Sequence, residues 1–252
     1  MHMRKKKWAQ GELDTCPFYY ENAYEQRGRW RREFAQDAPL HVELGCGKCV
    51  STARMARENP GVNYLALDLS RDMLAVGRRG IMELYGGDPV ENLKLGHHNL
   101  LYIQQMLAPE DAVERLYISF CNPWDQKGRH ERRRLTHTRQ LVQYRTFLTP
   151  GAEIYFKTDA DGLFCDSREY LEEAGFDVTY ITWNLHASGF APNYVTEHEA
   201  RFVAQGIPIK FLIAKMRPIS AGRERELRAA WLGDEETQAQ VLRLDGEGGV
   251  IR

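Results

Sequence analysis

The chain has 252 residues, 43% of them hydrophobic, and a formal net charge of -1. This length and apolar content suffice for a sizeable core and favour one large α/β domain. No apolar segment approaches the roughly 20 residues that cross a bilayer, which excludes a membrane-spanning protein. Nucleic acid is not excluded as a partner, because basic runs at 4–7, 27–32 and 129–134 are separated from acidic runs at 234–236 and 245–247.

The five cysteines are scattered and odd in number, and no export signal precedes them. This pattern predicts a soluble protein of the reducing cytoplasm. Cys46 and Cys49 have the spacing of a metal-ligand pair, but no second pair stands at a matching interval. No metal site is therefore predicted.

Apolar runs of strand length alternate with helical patterns, which is typical of βαβ units and of a parallel sheet covered on both faces. The predicted strands are 40–44, 63–67, 92–95, 115–120, 153–157, 177–183 and 207–216. The last predicted strand, 207–216, is not followed by a helical crossover leading to another parallel strand. It is therefore predicted to pair antiparallel with its neighbour.

Helical patterns fill the intervals between these strands. The predicted helices are 48–58, 70–85, 130–148, 162–174, 196–205 and 223–231. Ser70 is predicted to be an N-cap. We expect a basic N-terminal arm with a helix at 1–36, a main domain at 37–218, and a charged C-terminal helix and tail at 219–252.

Residues 41–49 read HVELGCGKC and join the first strand to the first long helix. Gly45 and Gly47 let the backbone approach a ligand at a strand-to-helix turn, where open α/β sheets bind their cofactors. A dinucleotide is disfavoured, because Val50 stands where its fingerprint has a third glycine and the Glu43 carboxylate would repel a pyrophosphate.

The second strand ends at Asp68, where an acid can accept hydrogen bonds from both hydroxyls of a ribose. Together with Glu43 it suits an adenosine cofactor that carries a sulfonium and an amino acid tail. This points to S-adenosylmethionine. The alternative is that Asp68 caps the following helix, a role for which Ser70 competes.

The next two strand ends carry polar side chains. Asn99 would reach the adenine, or is simply a loop former. Asn122-Pro123-Trp124 combines an amide, a rigid turn and a flat ring, which favours a nucleobase site. The arginines of 129–134 follow and are expected to contact phosphates. A solvated helix face for the arginines and core packing for Trp124 are the alternatives.

Several longer motifs resemble those of the bacterial tRNA (guanine-N7)-methyltransferase family. In chain order they are VELGCGK, LYISFCNPW, RHERRRLTH, GAEIYFKTDADGLF, LHAS and TEHEARFVAQG, and they span residues 40–216. The resemblance implies a Rossmann-like class I methyltransferase fold, with a doubly wound, mostly parallel seven-stranded sheet and an antiparallel last strand. It also implies methyl transfer from S-adenosylmethionine to N7 of variable-loop guanine 46, with tRNA as the partner.

Position by position, the resemblance and the loop pattern together assign a candidate site. The candidate cofactor-binding residues are Glu43, Gly45, Gly47, Asp68, Asn99 and Asn122, of which Asn122 is also the candidate catalytic residue. The candidate substrate-binding residues are Lys127 (or its neighbour Gln126), Asp159, Thr196, Glu197, His198 and Glu199.

The chain departs from the family pattern at three of these positions. The family usually has aspartate in place of Asn122, an acid in place of Asn99, and a third loop glycine in place of Cys49. Guanine N7 has no proton to lose, so its methylation needs alignment rather than a general base. A carboxylate near the ring would stabilise the cationic product, and an amide at Asn122 lacks that charge.

Other interpretations stay open. Asp159 can accept hydrogen bonds from guanine N1–H and the exocyclic amine, or it can cap a helix. Glu197 and Glu199 can equally be a solvated helix start. The Asn122 corner also resembles that of exocyclic-amine methyltransferases, although it has one proline instead of two. A non-enzymatic RNA-binding descendant is the third possibility, and both a monomer and a homodimer are compatible with the sequence.

Overall fold

The computed structural model describes residues 6–124 and 130–233. The sequence predictions for Lys127, Gln126 and Arg129, and those for the acidic runs at 234–236 and 245–247, lie outside the described residues.

Within the described residues, eight strands form one sheet. They are β1 Tyr19–Tyr20, β2 Leu40–Leu44, β3 Asn63–Asp68, β4 Leu93–His97, β5 Val113–Ser119, β6 Leu148–Thr158, β7 Phe176–Thr182 and β8 Lys210–Met216. Their order across the sheet is β1-β4-β3-β2-β5-β6-β8-β7. Neighbouring strands are parallel except at β8, which runs antiparallel to both β6 and β7. The predicted antiparallel last strand is confirmed.

The predicted count of seven strands is wrong by one. Tyr19 and Tyr20 pair in parallel with Leu95 and Gly96 and add an outer strand to the sheet. Two residues are too few to show an alternating pattern, so only the long-range pairing reveals this strand.

Seven α-helices accompany the sheet in the described ranges. They are α1 Ala9–Asp14, α2 Val50–Glu58, α3 Arg71–Tyr85, α4 Thr138–Tyr144, α5 Asp161–Glu173, α6 Glu197–Ala204 and α7 Ala221–Leu232. Ser70 caps α3 by accepting a hydrogen bond from the Met73 backbone N–H at 3.3 Å, as predicted.

The single helix predicted at 130–148 is wrong. The segment forms a short 3₁₀ turn at Glu131–Arg133 and enters α4 only at Thr138, while Leu148 already belongs to β6. Arg134 explains the break, because its side chain is buried and donates to the Pro123 carbonyl and to Asp166, both at 2.6 Å. These contacts hold Arg134 in an extended conformation that a helix does not allow.

The sheet has a core on each face. Leu40, Val42 and Leu44 of β2 face a cluster that contains Trp30 and helices α4 and α5. The opposite face is covered at β3 and β4 by α1 to α3, and at β8 by residues 185–202. Between these two covers the sheet presents His41 and Glu43, so the gap leaves room for polar groups at the centre of the sheet.

A buried carboxylate attaches the N-terminal segment to this core. Asp111 is fully buried and accepts hydrogen bonds from the backbone N–H groups of Gly28 (2.9 Å), Trp30 (2.9 Å) and Ala108 (2.8 Å). Burial raises its pKa, and the three N–H groups oppose that rise. Trp30 is also fully buried, and its indole N–H donates to the Met106 carbonyl at 3.0 Å.

We expect Asp111→Ala to lower the free energy of unfolding by about 3 kcal/mol, because three backbone donors lose their acceptor in the protein interior. Urea denaturation followed by circular dichroism measures the loss. The neighbouring Glu110 is exposed, and Glu110→Ala should stay within about 0.5 kcal/mol of the wild type. Equal effects of the two substitutions would contradict the role of Asp111.

Helix α3 meets the loop after β2 at Gly77. A Cβ atom there would lie 2.7 Å from the Lys48 carbonyl oxygen, whereas a Cβ at Gly80 would meet nothing within 4 Å. Gly77→Ala is therefore expected to lower the unfolding free energy by about 1–3 kcal/mol through overpacking. Gly80→Ala should raise it by up to about 1 kcal/mol through helix propensity. Thermal melting checks both. A melting temperature that rises in Gly77→Ala as it does in Gly80→Ala would show that the loop yields without cost.

Candidate active site

The loop between β2 and α2 consists of tight left-handed turns. Gly45 and Gly47 have φ angles of 81° and 55°, in the region that glycine adopts at little cost. The N–H groups of Gly45 and Cys46 both donate to the Leu67 carbonyl of β3, at 2.8 and 3.0 Å. Cys49 has a φ of 57° although it is not glycine. This conformation gives a physical reason for the third loop glycine that the resemblance implies at that position.

Asp68 connects this loop to the start of α3. Its Oδ2 accepts from the Gly47 N–H at 2.8 Å, and its Oδ1 accepts from the Ser70 N–H at 2.7 Å. Burial raises the pKa of Asp68, and these two hydrogen bonds counteract the rise. Because an ionised carboxylate has about four acceptor sites, Asp68 can still accept hydrogen bonds from a ligand.

Glu43 is the buried acid of the site, with only 2% of its surface exposed. It accepts a short hydrogen bond from the Thr52 hydroxyl and forms no ion pair within the described part of the chain. Burial raises its pKa to about 7, and the nearby charge of Asp68 adds to the rise while that of Lys157 opposes it. A buried carboxylate of this kind favours a cationic ligand.

The side chains after β4 and β5 make local turns. Asn99 Oδ1 accepts from the Leu101 N–H at 3.2 Å and caps a 3₁₀ helix. This local contact corresponds to the loop-forming role that the sequence offered as the alternative to adenine binding. Asn122 is exposed, and its Oδ1 accepts from the Trp124 N–H at 3.0 Å. The Asn122 amide N–H groups form no hydrogen bond among the described residues, so they remain available as donors.

The arginine run divides into two kinds of side chain. Arg133 lies over the ring of Trp124, 5.4 Å from its centroid, and Arg132 lies 6.0 Å from that of Trp231. Trp124 itself is half-buried. Arg134 is buried and ion-paired with Asp166, so the structure excludes it from the predicted phosphate contacts.

A small pocket joins residues 45–49, which we call the glycine loop, to the start of α6. It is lined by Glu43, Gly45, Cys46, Gly47, Lys48, Cys49, Val50, Ser51, Met73, Ser119, Phe120, Thr196, Glu197 and His198. The Lys48 ammonium lies 2.9 Å from the Glu197 carboxylate, and the His198 ring stacks on Phe120 at a centroid distance of 6.2 Å. Six of the sequence-predicted site residues therefore meet at one pocket, although they come from distant parts of the chain.

Four other predicted residues lie at the same edge of the sheet but outside the lining of this pocket. They are Asp68, Asn99, Asn122 and Asp159. Asp159 follows β6 and does not act as a helix cap, because Ala160 is the N-cap of α5 and no side chain caps that helix. The Asp159 carboxylate forms no hydrogen bond to any residue that the structure describes.

Glu199 differs from its neighbours. Thr196 and Glu199 form a reciprocal capping box at the start of α6. Glu199 is fully buried, and its carboxylate accepts from Lys157, His186 and Asn193. The structure therefore brings Thr196, Glu197 and His198 to the pocket but does not bring the Glu199 side chain there.

A second cavity, of about 370 Å³, lies beside the pocket on the same face of the sheet. Its walls include residues that the sequence reasoning missed: His41, Arg115, Tyr117, Tyr155, Lys157, Asn193 and Tyr194. The signal was present in β5 and β6, where Arg115, Tyr117 and Ser119, and likewise Glu153, Tyr155 and Lys157, put polar side chains at alternate positions. In a sheet covered on both faces, such alternation indicates a polar cavity.

Residues 6–124 and 130–233 contain neither a membrane-spanning helix nor a cluster of metal ligands. No helix there is both long and apolar enough to span a membrane. No group of three or more histidine, cysteine, aspartate or glutamate side chains is arranged there to hold a metal ion.

Comparison with known proteins adds independent findings. Residues 37–212 match a family model described as "Putative methyltransferase". The tRNA (guanine-N(7)-)-methyltransferase of Ruminiclostridium cellulolyticum is 47% identical over 220 residues, which cover 86% of this chain and 93% of that protein. The Clostridium beijerinckii protein of the same name is 49% identical over 216 residues, covering 85% and 98%.

Among solved structures, the 16S rRNA methyltransferase KamB superimposes with a TM-score of 0.52 at 15% identity, covering 71% of this chain and 88% of that one. At this identity the likeness shows a shared fold, the Rossmann-like class I methyltransferase fold. The family model and the two relatives show more: the chain belongs to the tRNA (guanine-N(7)-)-methyltransferase family.

Proposed function

We propose that this protein transfers a methyl group from S-adenosylmethionine to N7 of guanine 46 in the variable loop of tRNA. The observation that carries the proposal is the pocket in which Glu43 and the glycine loop face Thr196, Glu197 and His198. The names of the relatives support guanine N7 over an exocyclic amine as the acceptor.

The residues at the pocket fit S-adenosylmethionine. Glu43 is a buried carboxylate that no described cation neutralises by direct contact, and the cofactor carries both an ammonium and a sulfonium group. Asp68 retains acceptor sites for ribose hydroxyls, and the positive φ angles at Gly45 and Gly47 allow close approach of the backbone. When bound, the cofactor supplies an electrophilic methyl group on its sulfonium.

Asp159 is the residue we assign to recognition of the guanine edge. A free carboxylate accepts hydrogen bonds from N1–H and the exocyclic amine together, and adenine offers no such pair of donors. The main chain of Asp159 is held in place, because the Lys210 ammonium donates to its carbonyl at 3.0 Å. A fixed backbone and a carboxylate that accepts no hydrogen bond from a described residue suit a group that binds substrate.

Asn122 is the residue we place beside the reacting ring. Its Oδ1 is used by Trp124, so its amide N–H groups are what it offers to a base. Guanine O6 is an acceptor next to N7, and a donor from Asn122 would orient the ring for in-line transfer. Orientation is then the main contribution of Asn122, since the amide adds no negative charge to balance the cationic product.

The protein presents a basic surface next to Asn122 that could receive the tRNA backbone. Arg132 and Arg133 lie over Trp231 and Trp124, on the segment that leads from Asn122 to α4. Guanidinium groups in this position can contact phosphates while the bases approach the pocket.

We expect Asp159→Asn to lower kcat/KM for tRNA by about 100-fold, because an amide cannot accept from both guanine donors. Labelled methyl transfer measures the rate, and borohydride–aniline cleavage locates N7-methylguanosine. Asp14→Asn, the same chemical change on an exposed residue of α1 that forms no ion pair with any described residue, should keep at least about half of the activity. Replacing the target guanosine by inosine, which lacks the amine, should lower the kcat/KM of the wild type by a larger factor than that of Asp159→Asn.

The same assay separates the alternatives. Cleavage confined to the variable-loop guanine would support the proposal. N6-methyladenosine in digested tRNA would replace it with exocyclic-amine methylation. Binding of tRNA without cofactor binding or methyl transfer would identify a non-enzymatic RNA-binding homologue.

Cofactor affinity should depend on pH through Glu43. Its raised pKa of about 7 means that the free protein holds a proton there at lower pH, and that proton must leave before the carboxylate can pair with a cationic ligand. The affinity should therefore fall by up to about tenfold per pH unit below 7 and level off about one unit above it. Calorimetry across this range tests the slope, and Glu43→Gln should bind weakly with little slope. An unchanged slope in Glu43→Gln would exclude Glu43 as its source.

A further inference from the structure

Glu199 is fully buried at the start of α6, and donors surround its carboxylate. Oε1 accepts from His186 Nε2 at 2.8 Å and from Asn193 Nδ2 at 2.7 Å, while Oε2 accepts from Lys157 Nζ at 3.0 Å. Both oxygens are thus engaged. Direct contact with a guanine would require breaking these hydrogen bonds and exposing a buried charge.

The three donors come from separate segments of the chain. Lys157 is on β6, His186 lies in the 3₁₀ helix Leu185–Ala187, and Asn193 lies in the loop that follows. Lys157 also donates to Asn193 Oδ1 at 2.5 Å and to the Tyr194 carbonyl at 3.2 Å. The carboxylate therefore connects the centre of the sheet to the segment that covers it. We call Lys157, His186, Asn193 and Glu199 the carboxylate hub.

The hub reaches the pocket through the first turn of α6. The Glu199 N–H donates to Thr196 Oγ1 at 3.1 Å, and the Thr196 N–H donates back to Glu199 Oε2 at 3.4 Å. The residues between them, Glu197 and His198, contact Lys48 of the glycine loop and Phe120 after β5. Glu199 is thus linked, through the first turn of α6, to three residues that line the pocket beside the glycine loop.

The charges of the hub depend on one another. Lys157 and Glu199 are both removed from water, and each neutralises the other. Burial lowers the pKa of Lys157, and the Glu199 carboxylate raises it again. Loss of one partner leaves the other as an uncompensated buried charge, whereas loss of both does not.

We propose that Glu199 and His186 are positioning residues, which hold Thr196, Glu197 and His198 against the glycine loop without touching the guanine. The inference rests on the proposed function, and it gives a role to the LHAS motif that contains His186. It also assigns to Glu199 a role different from the substrate contact that the family resemblance implies.

A double-mutant cycle tests the charge pair. Glu199→Gln and Lys157→Met should each lower kcat/KM by about tenfold or more. The double variant should have a kcat/KM no lower than that of the less active single variant. Fold-losses that multiply in the double variant would show independent roles and overturn the proposal. Glu169→Gln, on the exposed face of α5, is the control for a distant charge change.

Base selectivity distinguishes positioning from contact. The ratio compared is kcat/KM for tRNA with the target guanosine over kcat/KM for tRNA with inosine in its place. In Glu199→Gln this ratio should stay within about twofold of the wild-type value. A collapse of that ratio, as expected for Asp159→Asn, would mean that Glu199 reads the guanine edge and would overturn the proposal.

His186 provides a conservative rescue. His186→Leu removes the donor and should raise the KM for tRNA by about five- to tenfold with a smaller effect on kcat, while His186→Gln keeps an N–H donor and should restore most of the loss. Hydrogen exchange at residues 196–204 should be faster in His186→Leu and Glu199→Gln than in the wild type. This readout needs no methyl transfer, so it tests the hub even if the proposed activity fails. Unchanged exchange in both variants would overturn the proposal.

Discussion

Parallel alignment of the central strands is the constraint on which the site depends. Because β4, β3, β2, β5 and β6 run in the same direction, their carboxyl ends meet at one edge of the sheet. Each strand then delivers a polar residue to that edge: Asn99, Asp68, the glycine loop, Asn122 and Asp159 respectively. The hydrogen-bonded ladder fixes the spacing of these groups, so the site is built on rigid backbone and not on loops alone.

Buried charge is the second theme of the structure. Asp111 attaches the N-terminal segment, Glu43 lines the pocket beside the glycine loop, and Glu199 holds the start of α6. Their surroundings differ in kind. Asp111 meets backbone donors and Glu199 meets side-chain donors, whereas Glu43 has a hydroxyl and no contacting cation among the described residues. The least compensated of the three is the one that faces the pocket, which is where a cationic ligand would restore the balance.

Much of the fold was predictable, because the relevant signals are local. Alternating apolar runs located the seven longer strands, and the capping role of Ser70 was read from its place before a helical pattern. The predictions failed where a distant contact decided the outcome. Arg134 breaks a regular helical pattern because Asp166 and the Pro123 carbonyl draw its side chain inward. Tyr19 and Tyr20 form a strand only because β4 offers them a free edge.

The sequence by itself determined the family, the order of the strands along the chain and the residue types at each strand end, since these depend on composition, periodicity and motif. Only the tertiary structure decided which of those residues share a pocket. Thr196 and Glu199 stand three positions apart in one motif, yet the first lines the pocket and the second lies buried against Lys157 and His186. Their side chains point in different directions because they lie at different positions of one helical turn. Contacts with His186 and Lys157, 13 and 42 positions away in sequence, decide that Glu199 is the buried one.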